Sequence, residues 1–166
     1  PSSSLIILNN KRTRHVSGTG CWNTGIEHAY EMYGEECFIA ICDDDDEWHE
    51  NDVEAFLNAI KDATSPQAVQ WIGPGLIRKV VKKDRPGEYK ISRTKVPDTL
   101  PAANEFFVRN PGFQGSNLFV KCKALKLAGL FDEALHCGTD RDLFIGLCDI
   151  FHGNKNAYIS TKQETV

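Results

Sequence analysis

The stretch CFIAICDDDDEW, residues 37–48, decides the fold. Its first half, residues 37–42, is a continuous apolar run whose length suits a strand buried on both faces. Its second half places four aspartates, residues 43–46, directly after that strand. Adjacent carboxylates repel one another unless a cation compensates them. The stretch therefore predicts a buried strand whose carboxyl end carries a charged, functional loop.

The aspartates of this loop are candidate metal ligands. In an extended segment alternate side chains share one face, so Asp43 and Asp45 are predicted to converge on one ion. Asp44 and Asp46 then point elsewhere, toward a sugar hydroxyl or the next turn. One or two carboxylates suit Mg²⁺ or Mn²⁺, whose other ligands are water and substrate phosphates. A solvated acidic turn is the alternative, but ligands bind at the carboxyl ends of α/β strands, which favours the metal site.

The flanking residues predict an α/β fold with a mixed, mainly parallel sheet flanked by helices. Upstream lie an apolar run at residues 4–8, predicted to be a strand buried on both faces, and a helical pattern from Ile26 to Tyr33 that Gly34 ends. Downstream, Asn51 and Glu54 form a capping box for a helix with a core stripe of Val53, Phe56, Leu57 and Ile60.

The rest of the chain predicts further short elements. Antiparallel strands are expected at residues 68–72, 76–81 and 89–92, with turns at Gly73-Pro74-Gly75 and at residues 84–87. The remaining expected elements are short helices at 104–108 and 122–127, strands at 118–120 and 157–160, and a helix at 140–151 that buries Leu143, Phe144, Leu147 and Ile150.

Length and composition bound the class of protein. The chain has 166 residues, which predicts one domain, and 41% apolar with 25% charged residues is the composition of a globular protein. A net charge of −4 argues against a nucleic-acid binder. No uncharged stretch is long enough to span a membrane. The six cysteines lack zinc-ligand spacing and are expected to be mostly buried thiols, Cys42 and Cys148 included, in a reducing, cytoplasmic compartment.

Two further segments carry candidate chemistry. Asp140 lies in TDRD, residues 139–142, where it is either a general base or a carboxylate that favours a helix start. The segment GFQGSN, residues 112–117, is either a plain loop or the lining of a sugar or acceptor pocket. His28, His49, His136 and His152 are not spaced as a metal cluster, and none of them is assigned as a ligand, whereas His15, with its basic neighbours, could neutralise a diphosphate.

Five segments in order resemble family 2 glycosyltransferases of the GT-A fold, and the resemblance runs from about Leu5 to Asp149. The segments are Asn23-Thr24-Gly25, FIAICDDDDEW at 38–48, GFQGSN at 112–117, GLFDEAL at 129–135 and TDRDLFIGL at 139–147.

The resemblance implies an inverting, metal-dependent transfer of a sugar from a nucleotide-sugar donor, such as a UDP-sugar, to an acceptor hydroxyl. It places Asp43 and Asp45 at the D-x-D positions that hold Mn²⁺ or Mg²⁺ and the donor diphosphate, and Asp140 at the position of the catalytic base. The remaining residues that it assigns to the donor and acceptor site are Asp44, Asn23, Gly25, Gly115, Ser116 and Asn117.

The chain departs from the family pattern in three places. The family's opening strand, helix and strand are expected to be missing, which would leave an incomplete donor pocket and an open sheet edge at residues 4–8 for pairing with a second copy. Trp22 and Gly146 stand where many members have arginine, and Lys11, Arg12 or Arg14 are candidate replacements. The alternative functions are a metal-dependent nucleotidyltransferase and a non-catalytic domain that binds a sugar nucleotide.

Overall fold

The computed structural model describes residues 5–10, 18–44, 46–48, 51–81, 85 and 88–165. Within them a mixed sheet is combined with helices. Its strands are β1 Phe38–Ala40, β2 Trp71–Val81, β3 Tyr89–Thr94, β4 Phe119–Lys121 and β5 Tyr158–Thr165. The helices are α1 Thr19–Tyr33, α2 Asp52–Lys61, α3 Glu105–Val108, α4 Cys122–Leu127 and α5 Thr139–Ile150, with 3₁₀ turns at Pro66–Ala68 and Gly115–Asn117.

The sheet is mixed, but it is not mainly parallel as predicted. Among the described residues β1 pairs with β4, and β2 with both β3 and β4, all antiparallel, whereas β2 and β5 are parallel. The hairpin between β2 and β3 forces one antiparallel pair. The other two arise because β4 lies between β1 and β2 and runs opposite to both. Strands β1, β2 and β5 therefore share one direction without all being neighbours.

Helices cover both faces of the sheet. On one face Trp71 stacks on Phe144 of α5, with ring centroids 5.4 Å apart, and contacts Phe113 at 4.7 Å. On the other face Phe119 of β4 stacks on Phe56 of α2 at 4.9 Å. Neighbouring residues of a strand point to opposite faces, so β4 supplies side chains to both cores. This packing fixes the strand ends from which the loops leave.

The helix predictions are confirmed in part, because α1 ends where predicted but begins at Thr19, seven residues before the pattern that starts at Ile26. Helix α1 ends at Tyr33, where Gly34 adopts φ 80° and donates its N–H to the Tyr30 carbonyl at 2.9 Å. Helix α2 follows Asn51, but this side chain makes no capping hydrogen bond. Its predicted core stripe is half wrong. Phe56 and Ile60 pack on the core, whereas the two other members, Val53 and Leu57, are exposed. The α5 prediction holds for Leu143, Phe144 and Leu147, but not for the exposed Ile150.

The predicted strand at residues 4–8 is wrong for the part that is described. Residues 5–8 form no strand, and their side chains are exposed, Leu5 to 90%. Residue 4 lies outside the described residues. An apolar run becomes a buried strand only where a neighbouring strand completes its hydrogen bonds, and no described strand pairs with this one. The expected pairing of two copies through this segment stays a prediction.

Strand β2 is longer than predicted because it continues through Gly73-Pro74-Gly75. The pairing of β2 with β5 shifts register between Gly73 and Gly75, and this irregularity accommodates the proline within the strand. The predicted hairpin with β3 is confirmed. Among the described residues, no helix combines the length and the apolar character that crossing a membrane requires.

Candidate functional site

A cavity of about 760 Å³ lies where the first turns of α1 and α5 meet the loop that follows β1. Together with the turn at Gly115, four distant segments therefore converge on one space. It contains four of the predicted site residues, Asp43, Asp44, Gly115 and Asp140. The other lining residues are Gly18, Cys21, Trp22, Cys42, His136, Cys137, Gly138 and Thr139.

The loop after β1 is held by hydrogen bonds. The Asp46 N–H donates to the Asp43 carbonyl at 3.2 Å, and the Cys42 thiol donates to the Asp46 carbonyl at 3.5 Å. The Ser116 hydroxyl donates to the Asp46 carboxylate. Asp43 is half-buried and Asp44 is exposed. The loop thus presents two carboxylates to the cavity and uses a third, that of Asp46, to hold its own shape.

The predicted metal ligands are Asp43 and Asp45. The structure describes Asp43, whereas Asp45 lies outside the described residues. In the described part of the chain, no group of three or more His, Cys, Asp and Glu side chains could hold a metal ion. Magnesium and manganese sites, however, commonly use one or two carboxylates and complete their coordination with water and substrate phosphates. The carboxylate of Asp43, which lines the cavity, fits that donor set.

Asp140 reaches the cavity from the first turn of α5. Gly138 precedes the helix in the left-handed conformation, with φ 71°, and Asp140 Oδ1 accepts the Arg141 N–H at 2.8 Å. Asp140 is half-buried. The helix behind it is anchored in the core by Leu143 and Phe144. A rigid element therefore fixes a carboxylate at the cavity that the acidic loop also lines.

The first turn of α1 contributes the facing wall. Gly18 adopts φ 74°, and its carbonyl accepts the N–H groups of Cys21 and Trp22 at 2.9 and 3.2 Å. The Trp22 ring packs on Phe131 at 4.9 Å. The first N–H groups of a helix have no partner within it and favour anions. With α1 and α5 both starting here, the cavity has two helix N-termini that suit a phosphate.

Part of the segment GFQGSN, residues 112–117, lines the cavity, and the rest makes hydrogen bonds that shape the turn. A Cβ at Gly115 would lie 3.8 Å from both Asp43 Oδ2 and the Trp22 ring, so glycine leaves space beside the acidic loop. Asn117 is fully buried: its Oδ1 accepts the Gln114 N–H at 2.8 Å, and its Nδ2 donates to the Gly112 carbonyl at 3.1 Å. Of the three predicted residues here, only Gly115 lines the cavity, and Ser116 and Asn117 shape the turn.

Asn23 and Gly25 lie outside the cavity lining. Asn23 is 2% exposed, and its Nδ2 donates to the Phe131 carbonyl and to Glu133 Oε1, both at 2.9 Å. Its Oδ1 accepts the Phe131 N–H at 3.1 Å. Asn23 therefore joins α1 to the GLFDEAL segment. Gly25 lies within α1, where an added Cβ would meet open space.

Several residues of the cavity were not predicted from the sequence. His136 was not assigned, although its place four residues before Asp140 is a signal that could have found it. Cys42 was expected to be buried but is exposed, because the strand ends at Ala40. Partial burial raises the pKa of its thiol, and the carboxylates of Asp46 and Asp43 raise it further.

Of the two positions where many family members have arginine, one lines the cavity and the other does not. Trp22 lines the cavity, whereas Gly146 lies in α5 with Ala128 3.6 Å from an added Cβ. Lys11, Arg12 and Arg14 lie outside the described residues. Among the described lining residues there is no lysine or arginine. Positive charge for a phosphate must therefore come from the helix termini, a bound cation or residues beyond those described.

A second cavity, of about 640 Å³, lies between α2 and β5. Its lining includes Asn58, Asp62, Lys155 and Thr161, and none of the predicted site residues. The candidate chemistry is therefore concentrated in the first cavity.

Comparisons of the chain with protein-family models, with curated proteins and with solved structures find no match. The function is therefore inferred from the residues of the chain and from the cavity they form.

Proposed function

We propose that the chain is the catalytic domain of an inverting, metal-dependent glycosyltransferase with a GT-A-like fold. It transfers a sugar from a nucleotide-sugar donor to the hydroxyl group of an acceptor. One observation carries the proposal: the acidic loop with Asp43, the glycine turn with Gly115 and the helix start with Asp140 line one cavity. These are the segments whose order in the sequence resembles the family.

The donor diphosphate would bind between the acidic loop and the helix N-termini. Asp43, together with Asp45 outside the described residues, would hold Mn²⁺ or Mg²⁺. When bound, the metal ion offsets the negative charge that develops on the leaving diphosphate. The N–H groups of the first turns of α1 and α5 that do not donate to Gly18 or Asp140 would face the phosphate oxygens. Gly115 leaves room for the sugar beside Asp43.

Asp140 would act as the general base. The acceptor oxygen attacks the anomeric carbon, the bond from that carbon to the diphosphate breaks, and the acceptor proton moves to the Asp140 carboxylate. Since Oδ1 already accepts the Arg141 N–H, we assign the proton to Oδ2. Attack from the side opposite the leaving group inverts the anomeric configuration.

Binding of UDP tests the donor half of the proposal. UDP is titrated with and without Mn²⁺, and thermal unfolding is followed. At 100 times its Kd a ligand adds about 2.7 kcal/mol to the free energy of unfolding. The part of this stabilisation that depends on Mn²⁺ should disappear in Asp43→Asn. It should persist in the control Asp149→Asn, which changes an exposed carboxylate outside the cavity. Equal stabilisation of both variants would remove Asp43 from the metal site.

The released product distinguishes the proposal from its two alternatives. With a panel of nucleotide sugars, a glycosyltransferase releases a nucleoside diphosphate, whereas a nucleotidyltransferase acting on nucleoside triphosphates releases pyrophosphate. A domain that only binds gives Mn²⁺-dependent stabilisation with neither product. Pyrophosphate release, or binding without turnover of any donor, would overturn the catalytic proposal.

A further inference from the structure

The cavity is lined by three thiols to which the proposed function gives no role. All six cysteines lie within the described residues. Cys21, Cys42 and Cys137 are exposed, and all three line this cavity. The remaining cysteines are the half-buried Cys37 and the buried Cys122 and Cys148, none of which lines it. Every exposed thiol of the chain is thus directed to one space.

The three thiols come from separate segments that enclose the acidic loop. Cys21 lies in the first turn of α1, Cys42 directly precedes Asp43, and Cys137 lies in the loop before α5. A group attached to any of them would occupy the space that Asp43, Gly115 and Asp140 share.

We propose that the cavity is a site of covalent thiol modification, where soft electrophiles and low-molecular-weight disulfides such as oxidised glutathione react with Cys21 and Cys137. The Cys42 thiol lines the same space, but it donates to the Asp46 carbonyl beside the acidic loop, and these surroundings disfavour the thiolate that reacts. In the exchange with oxidised glutathione, a cysteine Sγ attacks one sulfur of the disulfide. A new S–S bond joins the protein to one glutathione, the original S–S bond breaks, and the departing glutathione takes up the proton. The cysteine is oxidised and one half of the disulfide is reduced.

The adduct closes the cavity by size and by charge. Glutathione is a tripeptide that carries carboxylates, and it would lie beside Asp43 and Asp44 in a space of about 760 Å³. Its negative charges repel an anionic ligand, and the repulsion is strong at such short range. This closure of the cavity to a nucleotide rests on the proposed function, whereas the modification itself does not.

Labelling of the native chain tests the modification site. The protein is treated with N-ethylmaleimide, and the labelled peptides are quantified over time by mass spectrometry. Cys21 and Cys137 should react at least about 10-fold faster than Cys122 and Cys148, which must wait for the structure to open. Oxidised glutathione should modify the same two residues, and dithiothreitol should reverse this modification. Equal labelling of exposed and buried cysteines, or no adduct in the cavity, would overturn the proposal.

A binding measurement tests the closure. Glutathione adducts should weaken the binding of UDP with Mn²⁺ at least about 10-fold, a change of about 1.4 kcal/mol, and dithiothreitol should restore it. The triple variant Cys21→Ser, Cys42→Ser, Cys137→Ser should bind equally before and after treatment. Adducts that leave UDP binding unchanged would overturn the closure. If UDP fails to bind the untreated chain, the proposed function fails, and the labelling result still decides the modification site.

Discussion

The Ser116 hydroxyl donates a hydrogen bond to the Asp46 carboxylate and so joins the turn before β4 to the acidic loop after β1. Ser116 is 8% exposed, and its turn is closed by reciprocal hydrogen bonds between Gln114 and Asn117. The Asp46 N–H in turn donates to the Asp43 carbonyl. The place of Asp43 in the cavity therefore depends on a residue far away in the sequence.

We expect Ser116→Ala to weaken Mn²⁺-dependent nucleotide binding, because the loop that carries Asp43 loses this attachment. The free energy of unfolding should fall by about 1 kcal/mol, at the low end for a hydrogen bond to a carboxylate because Asp46 is exposed. UDP titration and urea unfolding measure the two effects. Ser92→Ala, an exposed serine on β3, is the control and should change neither quantity. Unaltered binding in Ser116→Ala would show that the loop keeps its shape without this bond.

Asn23→Ala should destabilise the protein without directly removing a contact to a ligand. The substitution leaves the buried N–H and carbonyl of Phe131 without their partner, at a cost of about 2–3 kcal/mol. The urea midpoint should fall while the slope of the unfolding free energy stays the same. Asn58→Ala, at an exposed position on α2, is the control and should not lower the stability, because alanine favours a helix more than asparagine does. Unchanged stability together with lost nucleotide binding would instead support the role that the sequence resemblance implies for Asn23.

The Lys121 and Glu36 pair predicts a pH dependence of stability. Lys121 is 4% exposed, and its ammonium donates to Glu36 Oε2 at 2.6 Å and to the Gln67 carbonyl at 3.1 Å. This hydrogen bond and the charge of Lys121 lower the pKa of Glu36 below 4.5. The lowered pKa means that the stabilisation is complete above pH 4.5 and is lost as the pH falls through the folded-state pKa.

Glu36→Gln should therefore lower the free energy of unfolding at neutral pH by about 1 kcal/mol, a modest value because the Glu36 side chain is 62% exposed. The difference from the unsubstituted chain should shrink as the pH falls below 4.5. Glu35→Gln is the matched control, because Glu35 pairs at 3.3 Å with the exposed Lys123. Its effect should be smaller at every pH. A difference that stays constant down to acidic pH would contradict the ionic origin of the effect.

Local signals made the helices predictable. The end of α1 could be predicted from the spacing of its apolar residues and from Gly34. A helix cap of this kind needs only a residue in the left-handed conformation after the last turn. The direction of β4 could not be predicted in this way. Three residues carry no local signal that distinguishes parallel from antiparallel pairing, and the pairing of Phe119 with Ala40 and Ile72 is set by the tertiary structure.

The site was predictable to the extent that residue type and strand position determine it. Asp43 and Asp140 could be placed at the cavity because a carboxylate at a strand end or at a helix start is a pattern visible in the sequence itself. The role of Asn23 was not found, since an amide that satisfies the backbone of residue 131 looks in the sequence like one that binds a ligand. The exposure of Cys42 was missed because β1 stops two residues earlier than the apolar run.

Comparing substitutions of Asp140 and Asp142 separates an effect on catalysis from an effect on the stability of α5. Both carboxylates lie in the first turn of α5, but only Asp140 lines the cavity. The helix dipole gives each of them a stabilisation of about 0.3–1 kcal/mol. Asp140→Asn and Asp142→Asn should therefore lower the free energy of unfolding by similar amounts, which thermal or urea unfolding measures.

Activity should differ between the two variants. Asp140→Asn removes the proposed proton acceptor, so kcat should fall at least about 10²-fold with little change in donor affinity, since general-base catalysis contributes about 10² to 10⁴. Asp142→Asn should retain most of kcat. Rates are measured by release of nucleoside diphosphate once a donor and acceptor pair has been found, and NMR of the product gives the anomeric configuration. Equal kcat values in the two variants would show that Asp140 only stabilises the helix. A product with retained anomeric configuration would contradict a single displacement in which Asp140 acts as the base.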